Sequence, residues 1–213
     1  MPDHVVIGYV RPVLVHGAFS ESLLSVVMEG KAPVDAVLAL EWGPNLSTGR
    51  NLLCDRFLRE QRAPWLLMVD TDMVLEADAA DRLIAAADPA AIPVLGALCW
   101  SLDAGVKVPT MYELVQKPDG RAAFARLPGW PQDEVIRVSA TGAACLLIHR
   151  TALEAVRDNS GDVAAPWFRE TAAGPLALMG EDMTFCLRLA AANVPVHVHT
   201  GVKAGHVKSV MLI

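Results

Sequence analysis

With 213 residues, 53% of them hydrophobic, the chain is long enough to bury one α/β core and short for two, so a single domain over 1–213 is expected. A net charge of −6 without a stripe of Lys or Arg argues against autonomous tight binding to nucleic acid, and no apolar run approaches the roughly 18 residues of a membrane span. Cys54, Cys99, Cys145 and Cys186 stand too far apart for a zinc pair or a disulfide framework. They read as reduced core thiols. Met1-Pro-Asp-His carries an acid and runs straight into a strand with no basic leader, so a cytoplasmic location is expected.

Val5 to Val10 reads as a first strand and Ser20 to Met28 as a helix with Glu21 in its first turn. Val34 to Leu40 is a second strand. Ser47 is the expected N-cap of a helix to about Gln61, with Leu52, Leu53, Phe57 and Leu58 on its apolar face. The apolar run from Trp65 follows at once, and Asp78-Ala79-Ala80 opens a helix through Ile84. Strand alternating with helix at this spacing predicts a parallel sheet with crossover helices. Further strands are expected over 92–100, 108–115, 135–140 and 144–148. A helix capped by Thr151 runs to Arg157, another covers Glu181 to Ala191, and a last strand covers Val196 to His199.

Trp65-Leu-Leu-Met-Val-Asp70-Thr71-Asp72 joins an apolar strand to two carboxylates. An apolar run of this kind is a strand buried on both faces, and ligands in open α/β sheets gather at the carboxyl ends of such strands. Two hard oxygen ligands there suit Mg²⁺ or Mn²⁺ held together with a phosphate-bearing substrate. A solvated acidic turn with Asp72 as a cap explains the same residues.

Two other groups carry chemistry. Gly180-Glu181-Asp182 opens the last helix, where a carboxylate serves either as a cap favoured by the helix dipole or as a general base. Spacing does not choose between Glu181 and Asp182. His197 and His199 alternate on one strand face, while His206 lies in the small-residue turn Lys203-Ala-Gly-His-Val-Lys, from which an imidazole could reach a cation held by the aspartates.

Taken in order, Leu66-Leu-Met-Val-Asp70-Thr-Asp72-Met, Thr141-Gly-Ala-Ala-Cys-Leu-Leu-Ile-His-Arg150, Gly180-Glu-Asp-Met-Thr-Phe-Cys-Leu-Arg188 and His206 resemble family-two-like glycosyltransferases of the GT-A fold. The resemblance covers most of the chain. It implies a Rossmann-like three-layer α/β/α architecture with a central, mainly parallel mixed sheet. It also implies a metal-dependent glycosyltransferase using Mn²⁺ or Mg²⁺ and a nucleotide-diphosphate sugar such as a UDP- or GDP-sugar.

The same resemblance assigns residues. Asp70 and Asp72 match the Asp-x-Asp element for cation and diphosphate, and His206 the histidine that completes the metal site. Asp182 matches the base of inverting members, with Glu181 beside it. Tyr9, Val10 and Arg11 match the nucleoside pocket, and Arg50 and Asn51 a polar pair placed to touch the nucleotide. Thr71 and Gly142 fall in the matched donor-binding segments. Trp100, Trp130 and Trp167 are candidates for sugar stacking. The acceptor stays open among glycan, lipid, protein and modified nucleobase, and the alanine-rich composition suits a high-GC bacterium or its phage. A retaining enzyme and a non-catalytic nucleotide-sugar-binding protein are the alternatives. A nucleotidyltransferase is disfavoured because Gly8-Tyr-Val-Arg11-Pro lacks a glycine-rich phosphate loop.

Overall fold

Trp65–Val69 has no exposed residue, and this strand takes the place its composition demands, inside the sheet. The structure, a computed structural model, describes residues 3–43, 45–118, 120–174 and 177–208. In chain order the first half comprises β1 (Val5–Arg11), α1 (Gly17–Glu29), β2 (Val34–Glu41), α2 (Leu46–Glu60), β3 (Trp65–Val69), β4 (Met73–Val74), α3 (Ala79–Ala86), β5 (Val94–Leu98) and the β6 (Trp100–Asp103) and β7 (Val106–Pro109) hairpin. There follow β8 (Met111–Gln116), β9 (Ala122–Arg126), β10 (Val135–Val138), β11 (Ala140–Thr141), β12 (Cys145–His149), α4 (Arg150–Asn159), β13 (Thr171–Gly174), β14 (Ala177–Met179), α5 (Glu181–Ala191), β15 (Val196–Lys203) and β16 (Gly205–His206).

Seven strands form the central sheet in the order β10-β15-β5-β12-β3-β1-β2. β2, β1, β3, β5 and β15 run one way, while β12 and β10 run against them. Alternating side chains of each strand feed two cores. Leu66 and Met68 pack with Leu53 and Phe57 of α2, Leu153 of α4 and Phe185 of α5. Trp65, Leu67 and Val69 pack on the other side with Phe19 and Val26 of α1 and Leu83 of α3. The result is the expected three-layer α/β/α arrangement.

Several boundaries differ from the sequence pattern for local reasons. α1 begins three residues before Ser20 because the His16 imidazole accepts from Ala18 N at 3.3 Å and caps it. Asn45, not Ser47, caps α2 through Oδ1 to Thr48 N at 3.0 Å. At α4 the cap is His149, whose Nδ1 takes the Thr151 amide. The strand expected over 108–115 is two strands in different sheets, because Pro109 offers no N–H to continue the ladder and Thr110 N turns to Cys99 O at 3.1 Å.

β15 runs past His199 through a wide bulge. Its register advances from His199 to Lys203 while β5 advances only from Ala97 to Leu98. This detour carries the chain across the sheet end, where β16 pairs with β4, Gly205 opposite Val74 and His206 opposite Met73. Two-residue strands carry no periodicity, so this pairing leaves no trace in the sequence. It fixes which histidine meets the Asp70-Thr71-Asp72 turn.

Gly49 allows α2 to lie close on β1: a Cβ there would come within 2.6 Å of Val10 Cγ1 and 3.2 Å of Trp42 Cγ. Gly49→Ala gains about 1 kcal/mol of helix propensity and forces α2 off the sheet beside Arg50, at a cost of about 1–3 kcal/mol for overpacking. A net loss of up to about 2 kcal/mol is expected in urea unfolding. A midpoint raised by the substitution would show that the contact is soft.

Candidate functional site

At the end of β3 the ladder is closed by Asp70 N donating to Ala144 O at 2.8 Å, which leaves the Asp70 carboxylate beyond the sheet. Arg50, four residues after the start of α2 and 3% exposed, meets it: Nη2 donates to Asp70 Oδ1 at 2.6 Å. Nη1 donates to Glu181 Oε1, also at 2.6 Å, at the first turn of α5. The Phe168 ring lies 5.6 Å from its Cζ. Burial opposes the guanidinium charge, but Asp70, Glu181 and Asp182 outweigh it and hold the group above its ordinary range.

Asp182 sits on the other side of that turn. Its Oδ1 accepts from Met183 N at 2.8 Å, and its Oδ2 lies on the side of Gly142, where a Cβ would stand at 3.6 Å, ordinary contact distance. Burial first, then the charge of Glu181, push the Asp182 carboxyl above its ordinary range, against the Met183 amide and Arg50. Tyr112 Oη accepts from Arg126 Nη1 at 2.9 Å; burial raises its phenol, Arg126 works against that, and the charge of Asp182 adds to it. Of the two acidic neighbours, Glu181 is spent on Arg50, while Asp182 is a proton-accepting carboxylate without a cationic side chain in hydrogen-bond contact among the described residues.

Asp72 points to a different set of groups. Its Oδ2 is 2.8 Å from His206 Nε2 and 2.9 Å from Lys208 Nζ, and its carbonyl accepts from Val207 N at 2.8 Å. Partial burial disfavours its charge, yet Lys208 and His206 hold its pKa below the ordinary value. His206 Nδ1 is 2.6 Å from Trp100 O, and a carbonyl only accepts, so Nδ1 carries a proton and Nε2 is the nitrogen turned to Asp72. In a metal-binding histidine one ring N–H donates to a carbonyl or carboxylate and the other nitrogen meets the metal; here the Trp100 carbonyl takes the first, and Nε2, set against Asp72 Oδ2, is the nitrogen a cation would meet.

The structure thus brings together Asp72 and His206 but commits Asp70 to Arg50. Among the described residues no group of three or more His, Cys, Asp or Glu side chains converges on a metal position. The pair still fits a divalent cation: two ligands at about 2.1 Å in cis positions lie about 3 Å apart, close to the oxygen–nitrogen separation here, and substrate phosphate oxygens commonly complete such a shell. His197 and His199 lie elsewhere. His199 Nδ1 accepts from Gly201 N at 3.2 Å, beside Arg82 and Asp133, and His197 Nδ1 is buried without a hydrogen-bond partner among the described residues.

The remaining expected residues divide. Thr71 forms the turn between the two aspartates. Tyr9 packs edge-on against Phe19 at 5.1 Å, Val10 against α2 at Gly49, and Arg11 pairs with Glu41 at 3.0 Å at the end of β1. Asn51, expected to touch a nucleotide, is saturated by protein: Nδ2 donates to Ser47 O and Phe168 O, each at 2.7 Å, and Oδ1 accepts from Trp167 N and Phe168 N. It clamps the loop that presents Phe168 to Arg50. Trp167 is buried with Nε1 on Leu153 O, whereas Trp100 and Trp130 pack together at 5.9 Å beside His206. Sequence reasoning missed Lys208, whose only signal is its place two residues after His206.

The sequence matches no protein-family profile and no curated protein sequence. Solved structures do match. A197 from STIV superposes with a TM-score of 0.64 at 14% identity, covering 97% of this chain and 86% of the other. GalNAc-T7 with UDP, GalNAc and Mn²⁺ superposes with a TM-score of 0.60 at 10% identity, covering 95% of this chain and 43% of the other. The fold is similar to that of GT-A structures. At these identities the likeness concerns the fold. No helix among the described residues is long and apolar enough to cross a membrane.

The raised pKa of Asp182 has a consequence for stability. A carboxyl that holds its proton more tightly when folded lowers stability as pH rises from the ordinary value of 3.8 through the folded value, and the loss persists above it. Asp182→Asn, which keeps the Met183 bond and removes the charge, is expected to raise the melting temperature at pH 7. The gain should vanish as pH falls below the ordinary carboxylate range. Thermal melts of both proteins across pH 3–8 check this, and a variant less stable at every pH contradicts it.

Proposed function

We propose that this chain, folding as one domain, is a glycosyltransferase that moves a sugar from a nucleotide-diphosphate sugar to an acceptor hydroxyl. The observation that carries the reading is the division of four carboxylates at one sheet end. Asp70 and Glu181 share the single charge of Arg50, while Asp72 is turned to His206 and the Asp182 carboxyl is held above its ordinary range. A GT-A-like fold surrounds that division, and one structural neighbour, GalNAc-T7, is seen with UDP and Mn²⁺, the class of nucleotide and cation that the reading calls for.

Asp72 and His206 would hold the divalent cation, Mn²⁺ or Mg²⁺, which when bound offsets the charge developing on the departing nucleoside diphosphate. Lys208, already on Asp72, supplies a further positive charge to the same place. Asp182 takes the proton from the acceptor hydroxyl; the freed oxygen forms its bond to the anomeric carbon as the bond to the diphosphate oxygen breaks, and the electron pair leaves with the nucleoside diphosphate. Attack from the face opposite the leaving group inverts the configuration. A pKa raised by burial makes Asp182 a stronger base than an ordinary carboxylate. Arg50 occupies Glu181 Oε1 and Asp70 Oδ1 with hydrogen bonds and offsets part of the acidic charge that the diphosphate would meet.

A panel of nucleotide sugars tested with Mn²⁺ should contain one that raises the melting temperature by mass action, with EDTA abolishing the shift. With that donor, Asp182→Asn should keep the shift and lose transfer by about a hundredfold or more. Equal shifts in EDTA and Mn²⁺ would sink the cation site. Full transfer by Asp182→Asn would assign the chemistry to another group or to a retaining course.

A further inference from the structure

Lysine is scarce in this chain, with five residues at 31, 107, 117, 203 and 208. Three of them, Lys107, Lys203 and Lys208, line a single pocket of about 410 Å³ with Trp100, Leu102 and His206, and among the described residues no carboxylate lines it. In an acidic protein whose arginines mostly pair with acids, this concentration of positive charge requires explanation. Lys208 reaches Asp72, but Lys107 and Lys203 form no ion pair among the described residues. Lys107 is held over the Trp100 ring, its Nζ 4.1 Å from the centroid, which fixes an ammonium without neutralising it.

The fold brings these lysines together by two irregular features. Lys107 comes from the β6–β7 hairpin, where it pairs in register with Leu102. Lys203 is set in place by the β15 bulge, four residues beyond His199 against one step on β5. His206 stands between this pocket and the cation pair, with Nδ1 on the Trp100 carbonyl and Nε2 on Asp72. The pocket therefore adjoins the place proposed for the donor's diphosphate and shares His206 and Lys208 with it.

Like charges gathered without partners repel, and an oxyanion that enters removes the repulsion while accepting charge-assisted hydrogen bonds. A phosphate monoester, carrying about −1.5 to −2 at pH 7 with three acceptor oxygens, answers the two ammonium groups of Lys107 and Lys203, with Lys208 beside them on Asp72, better than a singly charged carboxylate. We propose that this pocket is a phosphate-binding subsite that works without a divalent cation and takes a phosphate carried on the acceptor. Its role rests on the glycosyltransferase reading, but its binding does not. Free inorganic phosphate is the other source of the same chemistry.

Calorimetry on the full chain in EDTA separates these possibilities, with glucose 6-phosphate, inorganic phosphate and glucose as probes. Glucose 6-phosphate should bind and glucose should not. The double variant Lys107→Gln/Lys203→Gln should weaken binding by about tenfold or more, the scale of a lost charge-assisted bond. Both lysines are exposed, so an unchanged melting temperature is expected for the variant. Its Mn²⁺-dependent shift with UDP should equal that of the wild type. No phosphate binding in EDTA, or binding indifferent to the two substitutions, overturns the subsite. Loss of the UDP shift in the double variant also overturns it, by placing the lysines in the donor site. Equal affinity for glucose 6-phosphate and inorganic phosphate overturns the acceptor assignment in favour of the free ion. If wild type gives no UDP shift yet binds glucose 6-phosphate through these lysines, the donor reading fails and the subsite stands.

Discussion

One buried guanidinium holds the working end of this sheet together. Arg50 joins Asp70, at the end of β3, to Glu181, at the start of α5, two residues separated widely in sequence and brought within 2.6 Å of the same side chain. A charge at 3% exposure is tolerable only with such partners, and removing one partner of a buried pair costs about 3–5 kcal/mol. The arrangement therefore fixes α5 against the turn after β3. It sets where Asp182 lies relative to Asp72, because each is the neighbour, by one or two residues, of a carboxylate that Arg50 holds.

The division of labour among the acids follows from that constraint. With Glu181 bound to Arg50, its remaining charge raises the affinity of Asp182 for a proton, while burial does more in the same direction. Asp72 experiences the opposite environment, with an ammonium and an imidazole holding it ionised. Two carboxylates at one sheet end are thus driven apart in character, one toward accepting protons and one toward holding positive charge, by groups that do not react themselves. A carboxyl held above its ordinary range costs the fold stability when it ionises, which is the sign expected for Asp182.

Much of this was legible in the sequence, for identifiable reasons. Trp65–Val69 announced a central strand because burial on both faces demands five apolar residues in succession, and Glu181–Ala191 was bounded correctly because its acids sit in the first turn, where the dipole favours them. The α/β layering followed from alternating strand and helix patterns. The resemblance singled out His206, but the residues alone did not place it above His197 and His199, because its position beside Asp72 depends on the β15 bulge and the two-residue pairing of β16 with β4. The structural role of Asn51 was hidden, because a polar residue next to Arg50 gives no sign that its side chain bonds to Ser47, Trp167 and Phe168. The pairing of Arg50 with Asp70 was equally hidden, since an Asp-x-Asp triplet reads as two free ligands until the side chain opposite one of them is known.

The claim on which the functional account turns is that Asp72 and His206, and not Asp70, form the cation-holding edge. Anomalous diffraction from crystals soaked with Mn²⁺ and UDP tests it most directly. The account predicts a manganese peak bonded to Asp72 Oδ2 and His206 Nε2, with Asp70 still on Arg50. A peak held by Asp70 with the Arg50 bond broken, or no peak at this end of the sheet, would contradict it.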